Sequence, residues 1–92
     1  MKKKIVSILS SPKAADWIDK KLQVEEMEVF YFYQAKIGLN SIKEINPDLV
    51  IIDSHIYDIP IFLVIYLLKS LDIPIIMLLF DKKEKENIFF SD

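Results

Sequence analysis

Acidic side chains follow two apolar runs of this chain, and a histidine lies close to the first of them. Asp53 comes directly after Leu49–Ile52, and Asp81 directly after Ile75–Phe80, while His55 lies two positions beyond Asp53. If the two runs are adjacent parallel strands, these groups meet at the carboxyl edge of a sheet, where open α/β sheets usually bind ligands. Two acids and an imidazole could hold a metal ion or ligand there, although their spacing is not a defined coordination motif.

The stretch Pro47–Phe80 predicts the unit that positions these groups. Its two apolar runs read as strands, and Ile61–Leu68 between them repeats apolar residues at helical spacing. Strands that are apolar throughout are typical of a parallel sheet covered on both faces. Asp58 is expected to cap the helix, with Pro60 in its first turn.

The rest of the chain continues the same alternation of strands and helices. Connections too long for hairpins favour right-handed crossovers and a parallel sheet, so the class is α/β with one domain over residues 1–92. Ile88–Phe90 is a possible short fifth strand. The remaining predicted elements are a strand at Lys4–Leu9, a helix beginning at Ser10–Pro12, a strand at Glu28–Tyr33, a loop at Gln34–Gly38 and a helix at Leu39–Ile45.

Composition excludes several classes of function. The 92 residues contain no cysteine, which excludes disulfides, iron–sulfur clusters and thiolate zinc sites. A single glycine excludes glycine-rich phosphate loops, and a net charge of −2 gives no electrostatic case for nucleic acid. No signal peptide is visible, and the longest apolar segment is well short of the roughly 20 residues that cross a bilayer. We therefore expect a cytoplasmic protein without a membrane partner.

The segment Pro47–Asp53, Pro-Asp-Leu-Val-Ile-Ile-Asp, resembles the third strand of response-regulator receiver domains, where the final aspartate accepts a phosphoryl group. Leu68–Leu78 resembles the end of the receiver's third helix and its fourth strand, and Lys3–Val6 and Gly38–Ile45 fit receiver spacing. The resemblance implies a flavodoxin-like three-layer sandwich with a parallel sheet of four strands in the order 2-1-3-4. It also implies that residues 1–92 form a receiver-like domain lacking the C-terminal third.

This sequence departs from the receiver pattern at the positions that carry phosphoryl transfer. The family holds a divalent cation with an acidic pair after strand one, but Leu9, Ser10 and Ser11 stand there instead. Leu79 stands near the family's hydroxyl residue, and the family's lysine follows a fifth strand outside the match. The resemblance therefore implies a pseudo-receiver without catalytic residues, metal or cofactor, in which Asp53 is a vestigial phospho-acceptor position.

Two alternatives use the same edge of the sheet. Asp53–Asp58 partly resembles the Asp-x-His-x-x-Gly motif of cobalamin-binding domains, in which the histidine ligates cobalt, although Asp58 replaces the glycine. A ligand- or metal-binding flavodoxin-like domain would use Asp53, His55 and Asp81. A weakly active receiver would still accept a phosphoryl group at Asp53.

The helix at Ile61–Leu68 is apolar nearly all round, so it should be buried on more than one side. The sheet can cover one side, and a bare edge along Ile75–Phe80 would also invite pairing. We therefore predict a protein partner, with a symmetric homodimer as the commonest solution. The predicted function is a phosphorylation-independent regulatory or dimerisation module of a two-component-like or transcriptional regulator. The predicted interface residues are Phe62, Leu63, Tyr66 and Leu67.

Overall fold

The computed structural model describes residues 2–22, 26–80 and 86–91, which form one sheet with helices on both faces. The strands are β1 (Lys3–Ile8), β2 (Met27–Phe32), β3 (Leu49–Asp53), β4 (Ile75–Phe80) and β5 (Glu86–Ser91). The helices in these residues are α1 (Pro12–Leu22), α2 (Ala35–Ile45) and α3 (Ile61–Ser70), and none is long and apolar enough to cross a membrane.

The sheet has the strand order β2-β1-β3-β4-β5, and its first four strands are parallel. This confirms the predicted order 2-1-3-4. The predicted fifth strand is present, and it runs antiparallel to β4 from Glu86 opposite Phe80 to Ser91 opposite Ile75. The expectation of a bare β4 edge is therefore wrong, because β5 pairs along that strand.

Alternate residues of the central strands supply the cores of two opposite faces, as the period of two in a strand requires. One core gathers buried residues of β1, β3 and β4 beneath α2 and α3, and the other lies beneath α1. The first contains Val6, Ile8, Val50, Ile52 and Ile75 with Ala35, Ile42, Val64 and Leu68, and the second contains Ile5, Leu9, Ile51 and Leu78 with Ala14, Ala15 and Ile18.

The helix α2 begins at Ala35, so the predicted loop at Gln34–Gly38 is wrong. Gly38 lies inside the helix and is buried. A Cβ atom at this position would lie 2.8 Å from Cγ1 of Ile8 and 3.4 Å from Cβ of Phe32. The glycine therefore lets α2 pack closely on β1 and β2.

Asp58 caps α2 rather than α3, which corrects the prediction made for it. Its carboxylate accepts hydrogen bonds from the backbone N–H groups of Ala35, at 2.9 Å, and Lys36, at 2.8 Å. Desolvation alone would raise the pKa of Asp58, but these backbone hydrogen bonds outweigh it and lower that pKa below 3.8. The N-cap residue of α3 is Pro60, and no side chain caps that helix.

Candidate functional site

Asp53 ends β3, and its side chain is fully buried. β3 lies between β1 and β4, so the carboxylate emerges at the carboxyl edge of the sheet between two neighbouring strands. Its Cα partner on β4 is Leu78, and the backbone N–H of Ser54 donates to the Leu78 carbonyl at 2.8 Å. The apolar strand β3 therefore ends in a buried carboxylate.

Both carboxylate oxygens of Asp53 accept hydrogen bonds. Oδ2 accepts from the backbone N–H of Ser10 at 3.0 Å and also from the Ser10 hydroxyl. Oδ1 accepts from the backbone N–H of His55 at 2.8 Å. A buried carboxylate is costly unless such bonds compensate for its lost hydration. Asp53 therefore caps the turn after β3 and joins it to the segment after β1.

The surroundings of Asp53 contain serine and leucine where a cation site would need acids. Ser10 lies between β1 and α1 and is half-buried, whereas Leu9 before it is fully buried. Leu79 on β4 is half-buried. Within residues 2–22, 26–80 and 86–91, no group of three His, Cys, Asp or Glu side chains could hold a metal ion.

The predicted cluster of Asp53, His55 and Asp81 is only partly described. His55 is exposed, and its backbone N–H binds Asp53. Asp81 lies outside the described residues, so its place in this cluster stays a prediction, as does ligation of cobalt by His55.

The outer face of α3 is the second candidate site, and it carries all four predicted interface residues. Phe62 is 74% exposed, Leu63 41%, Tyr66 69% and Leu67 39%. On the opposite side of the helix, Val64 and Leu68 are fully buried against the sheet. The helix thus presents one apolar stripe to the core and a second to solvent.

The exposed apolar surface extends beyond the residues that the sequence pattern indicated. Leu71, directly after α3, is also exposed and continues the spacing of four that relates Leu63 to Leu67. That spacing was visible in the sequence, but the predicted helix ended at Leu68 and did not include Leu71. The large exposed hydrophobic side chains found in the described residues are Tyr33, Ile37, Tyr57, Phe62, Leu63, Tyr66, Leu67 and Leu71, which all lie in α2, in α3 or in segments adjoining them.

The chain has the fold of response-regulator receiver domains. No protein-family model and no curated protein sequence matches it. One similar solved structure is the signal receiver domain of a putative LuxO repressor protein from Vibrio parahaemolyticus, with a TM-score of 0.71 and 18% identity, covering 86% of this chain and 61% of that one. A receiver domain from the Francisella response regulator 1452 has a TM-score of 0.71 and 21% identity, covering 87% of this chain and 68% of that one.

These likenesses confirm the predicted receiver-like, flavodoxin-like fold. At such low identity they show the fold alone. The chain spans less than two thirds of the Vibrio domain, which is the first of the two. The absence of the C-terminal third of a receiver stays a prediction about this protein.

Proposed function

We propose that this chain is a pseudo-receiver, a regulatory protein-interaction module that works without phosphorylation. It would serve a two-component-like or transcriptional regulator and would have no catalytic role of its own. The proposal rests on the state of Asp53. Its side chain is fully buried, and both of its carboxylate oxygens accept hydrogen bonds.

Phosphoryl transfer to Asp53 would need an oxygen with a free lone pair aimed at the phosphorus atom. It would also need positive charge to neutralise the transferring group, since positioning and charge neutralisation supply most of the catalysis. Ser10 occupies Oδ2 with two donors, and the segment that contains it offers no carboxylate for a cation. Freeing Asp53 would leave the Ser10 and His55 N–H groups without their acceptor, which is costly in a part-buried place.

The α3 surface supports the interaction part of the proposal. Aromatic residues are enriched at protein interfaces and charged residues are depleted at their centres. The outer face of α3 matches both tendencies, with Phe62 and Tyr66 exposed and no charged residue from position 59 to 68. The function would then reside in apolar surface, and the first candidate for its partner is a second copy of the chain.

Intact-mass spectrometry after incubation with Mg²⁺ and a small phosphodonor tests the proposal. We expect no phosphate adduct, because the Asp53 side chain is fully buried and hydrogen-bonded through both oxygens, and Leu9, Ser10 and Ser11 offer no carboxylate to hold Mg²⁺ beside it. An active receiver domain in the same reaction controls for the donor. A single adduct that disappears in Asp53→Asn would contradict the proposal and support the alternative of a weakly active phospho-acceptor.

A further inference from the structure

The outer face of α3 has a midpoint between Tyr66 and Leu67. Leu63 and Ser70 are each three and a half positions from it, and Phe62 and Leu71 are each four and a half. All six residues are exposed, and the helix turn of 3.6 residues places them on one side of α3. Apolar residues mirror each other about this midpoint in two of the three pairs, and Leu63 mirrors the small Ser70, so the face can pack against a second copy of itself.

The face is large enough for such an interface. Large apolar side chains contribute about 150–250 Å² each, so the exposed parts of Phe62, Tyr66 and the three leucines offer roughly 500 Å² per copy. Surrounding atoms would bring this near the ~800 Å² per partner of a standard stable interface. Lys69 lies at the border of the face, where its flexible side chain can keep its charge in water.

The two ends of α3 are electrostatically complementary. The N-terminal end has no side-chain cap and no acidic residue in its first turn, so the partial positive charge of its N–H groups is not offset there. Just past the C-terminal end, Asp72 is exposed and has a positive φ of 57°. Asp72 and Ile61, the first residue of α3, lie equally far from the midpoint, at five and a half positions.

We propose that α3 packs antiparallel against α3 of a second copy about this midpoint. This inference deepens the proposed function, on which it rests, by naming its partner and the geometry of the contact. Phe62 then meets the partner's Leu71, and Leu63 lies level with the partner's Ser70. Asp72 lies beside the uncapped N-terminus of the partner's helix, where an acid is favourable. A parallel pair would instead bring the two Asp72 carboxylates together.

Analytical ultracentrifugation over a range of concentrations tests the dimer. We expect a monomer–dimer equilibrium whose Kd rises about a hundredfold or more in Tyr66→Asp, because the charge falls at the centre of the interface. The matched control is Tyr33→Asp, which changes another exposed tyrosine away from α3 and should leave the Kd unchanged. A chain that stays monomeric at high concentration, or equal effects of the two variants, would overturn the proposal.

Disulfide trapping tests the orientation, and the chain is suited to it because it has no cysteine. A mixture of Leu63→Cys and Ser70→Cys chains should form a mixed disulfide in mild oxidant, while neither variant alone should cross-link efficiently. Efficient Leu63→Cys homodimers without the mixed species would indicate parallel packing and overturn the antiparallel model.

The Asp72→Asn variant isolates the charge contribution. We expect the dimer Kd to rise about threefold to tenfold, and less at high salt, because two symmetric helix-terminus contacts are lost. No change would overturn the placement of Asp72. These outcomes are separable from the phosphorylation test, since a phosphate adduct on a dimer contradicts only the proposed function and a monomer without an adduct contradicts only this inference.

Discussion

The helices α1 and α3 cover opposite faces of one sheet. The solvent-facing side of α1 is polar, whereas that of α3 is apolar. α1 buries Ala14, Ala15 and Ile18 and exposes charged residues such as Asp16 and Lys20. α3 buries Val64 and Leu68 with equal completeness but exposes aromatic and aliphatic side chains. Both need one apolar stripe to hold them to the sheet. The second apolar stripe of α3 is not needed for the fold, which is why we propose that it serves association.

The two helices also differ in the polar contacts that their side chains make. Tyr31 of β2 donates a hydrogen bond to Asp19 of α1, and the Lys21 ammonium lies 5.9 Å from the centre of the Trp17 ring. The polar side chains of α1 thus contact β2 and each other, and its charged residues remain exposed to solvent. α3 depends on its buried stripe, and its N-terminus has no side-chain cap. The difference can be tested residue by residue.

The largest expected effect is on the free energy of unfolding, and it distinguishes the buried stripe of α3 from the exposed one. Leu68→Ala should lower the free energy of unfolding by about 2–5 kcal/mol, because it empties a fully buried site. Leu67→Ala, at the neighbouring position on the outer face, should cost less than about 1 kcal/mol in dilute protein. Urea unfolding at several protein concentrations measures both. The Leu67→Ala effect should grow with concentration if this face is an interface, and equal effects in dilute protein would contradict the burial difference.

Two serines beneath and beside α1 should respond in opposite directions to the same change. Ser7 of β1 is fully buried, and its hydroxyl has no hydrogen-bond partner within the described residues. Ser7→Ala should therefore stabilise the protein by about 1 kcal/mol, since it removes an unsatisfied polar group. Ser10→Ala should destabilise it by about 1–2 kcal/mol, because Asp53 loses a charge-assisted hydrogen bond. Thermal unfolding of both variants tests the signs, and a stabilising Ser10→Ala would contradict the role given to Asp53.

The smallest expected effect concerns the hydrogen bond that joins α1 to β2. Partial burial, together with the hydrogen bond to Asp19 and its negative charge, raises the pKa of Tyr31 above its usual 10. A raised pKa means that the protonated group favours the folded state, so this stability is fully present below about pH 10 and is lost as the pH rises further.

Tyr31→Phe should cost about 0.5 kcal/mol at neutral pH, because this hydrogen bond is exposed. It should also lose less stability than the parent chain between about pH 9 and 11. Urea midpoints across that range measure both effects, with the exposed Tyr57 as the control in Tyr57→Phe. Parallel pH profiles for Tyr31→Phe and the parent would show that the hydrogen bond contributes nothing.

The central strands and both faces of the core followed from the sequence because they depend on periodicity, whereas the strand order was implied by the resemblance to receiver domains. Apolar runs such as Leu49–Ile52, buried on both faces, predicted central parallel strands, and the apolar run Ile61–Leu68 predicted a helix with a second apolar side for a partner to cover. Predictions from the local sequence were less reliable where a segment contacts residues that are distant in the sequence. The local sequence predicted a loop at Gln34–Gly38 and an α3 cap at Asp58. Instead, Gly38 allows α2 to approach β1, and Asp58 caps α2.

The sequence by itself determined that this chain forms a receiver-like sheet and that Asp53 has no neighbouring acids after β1. Only the tertiary structure decided what Asp53 does instead, because its partner Ser10 is 43 positions away and the two meet only when β1 and β3 pair. The same holds for Asp58, whose contacts with α2 span 22 and 23 positions. Composition and periodicity are properties of a single segment. Hydrogen-bond partners depend instead on which ends of different segments lie next to each other in the folded sheet.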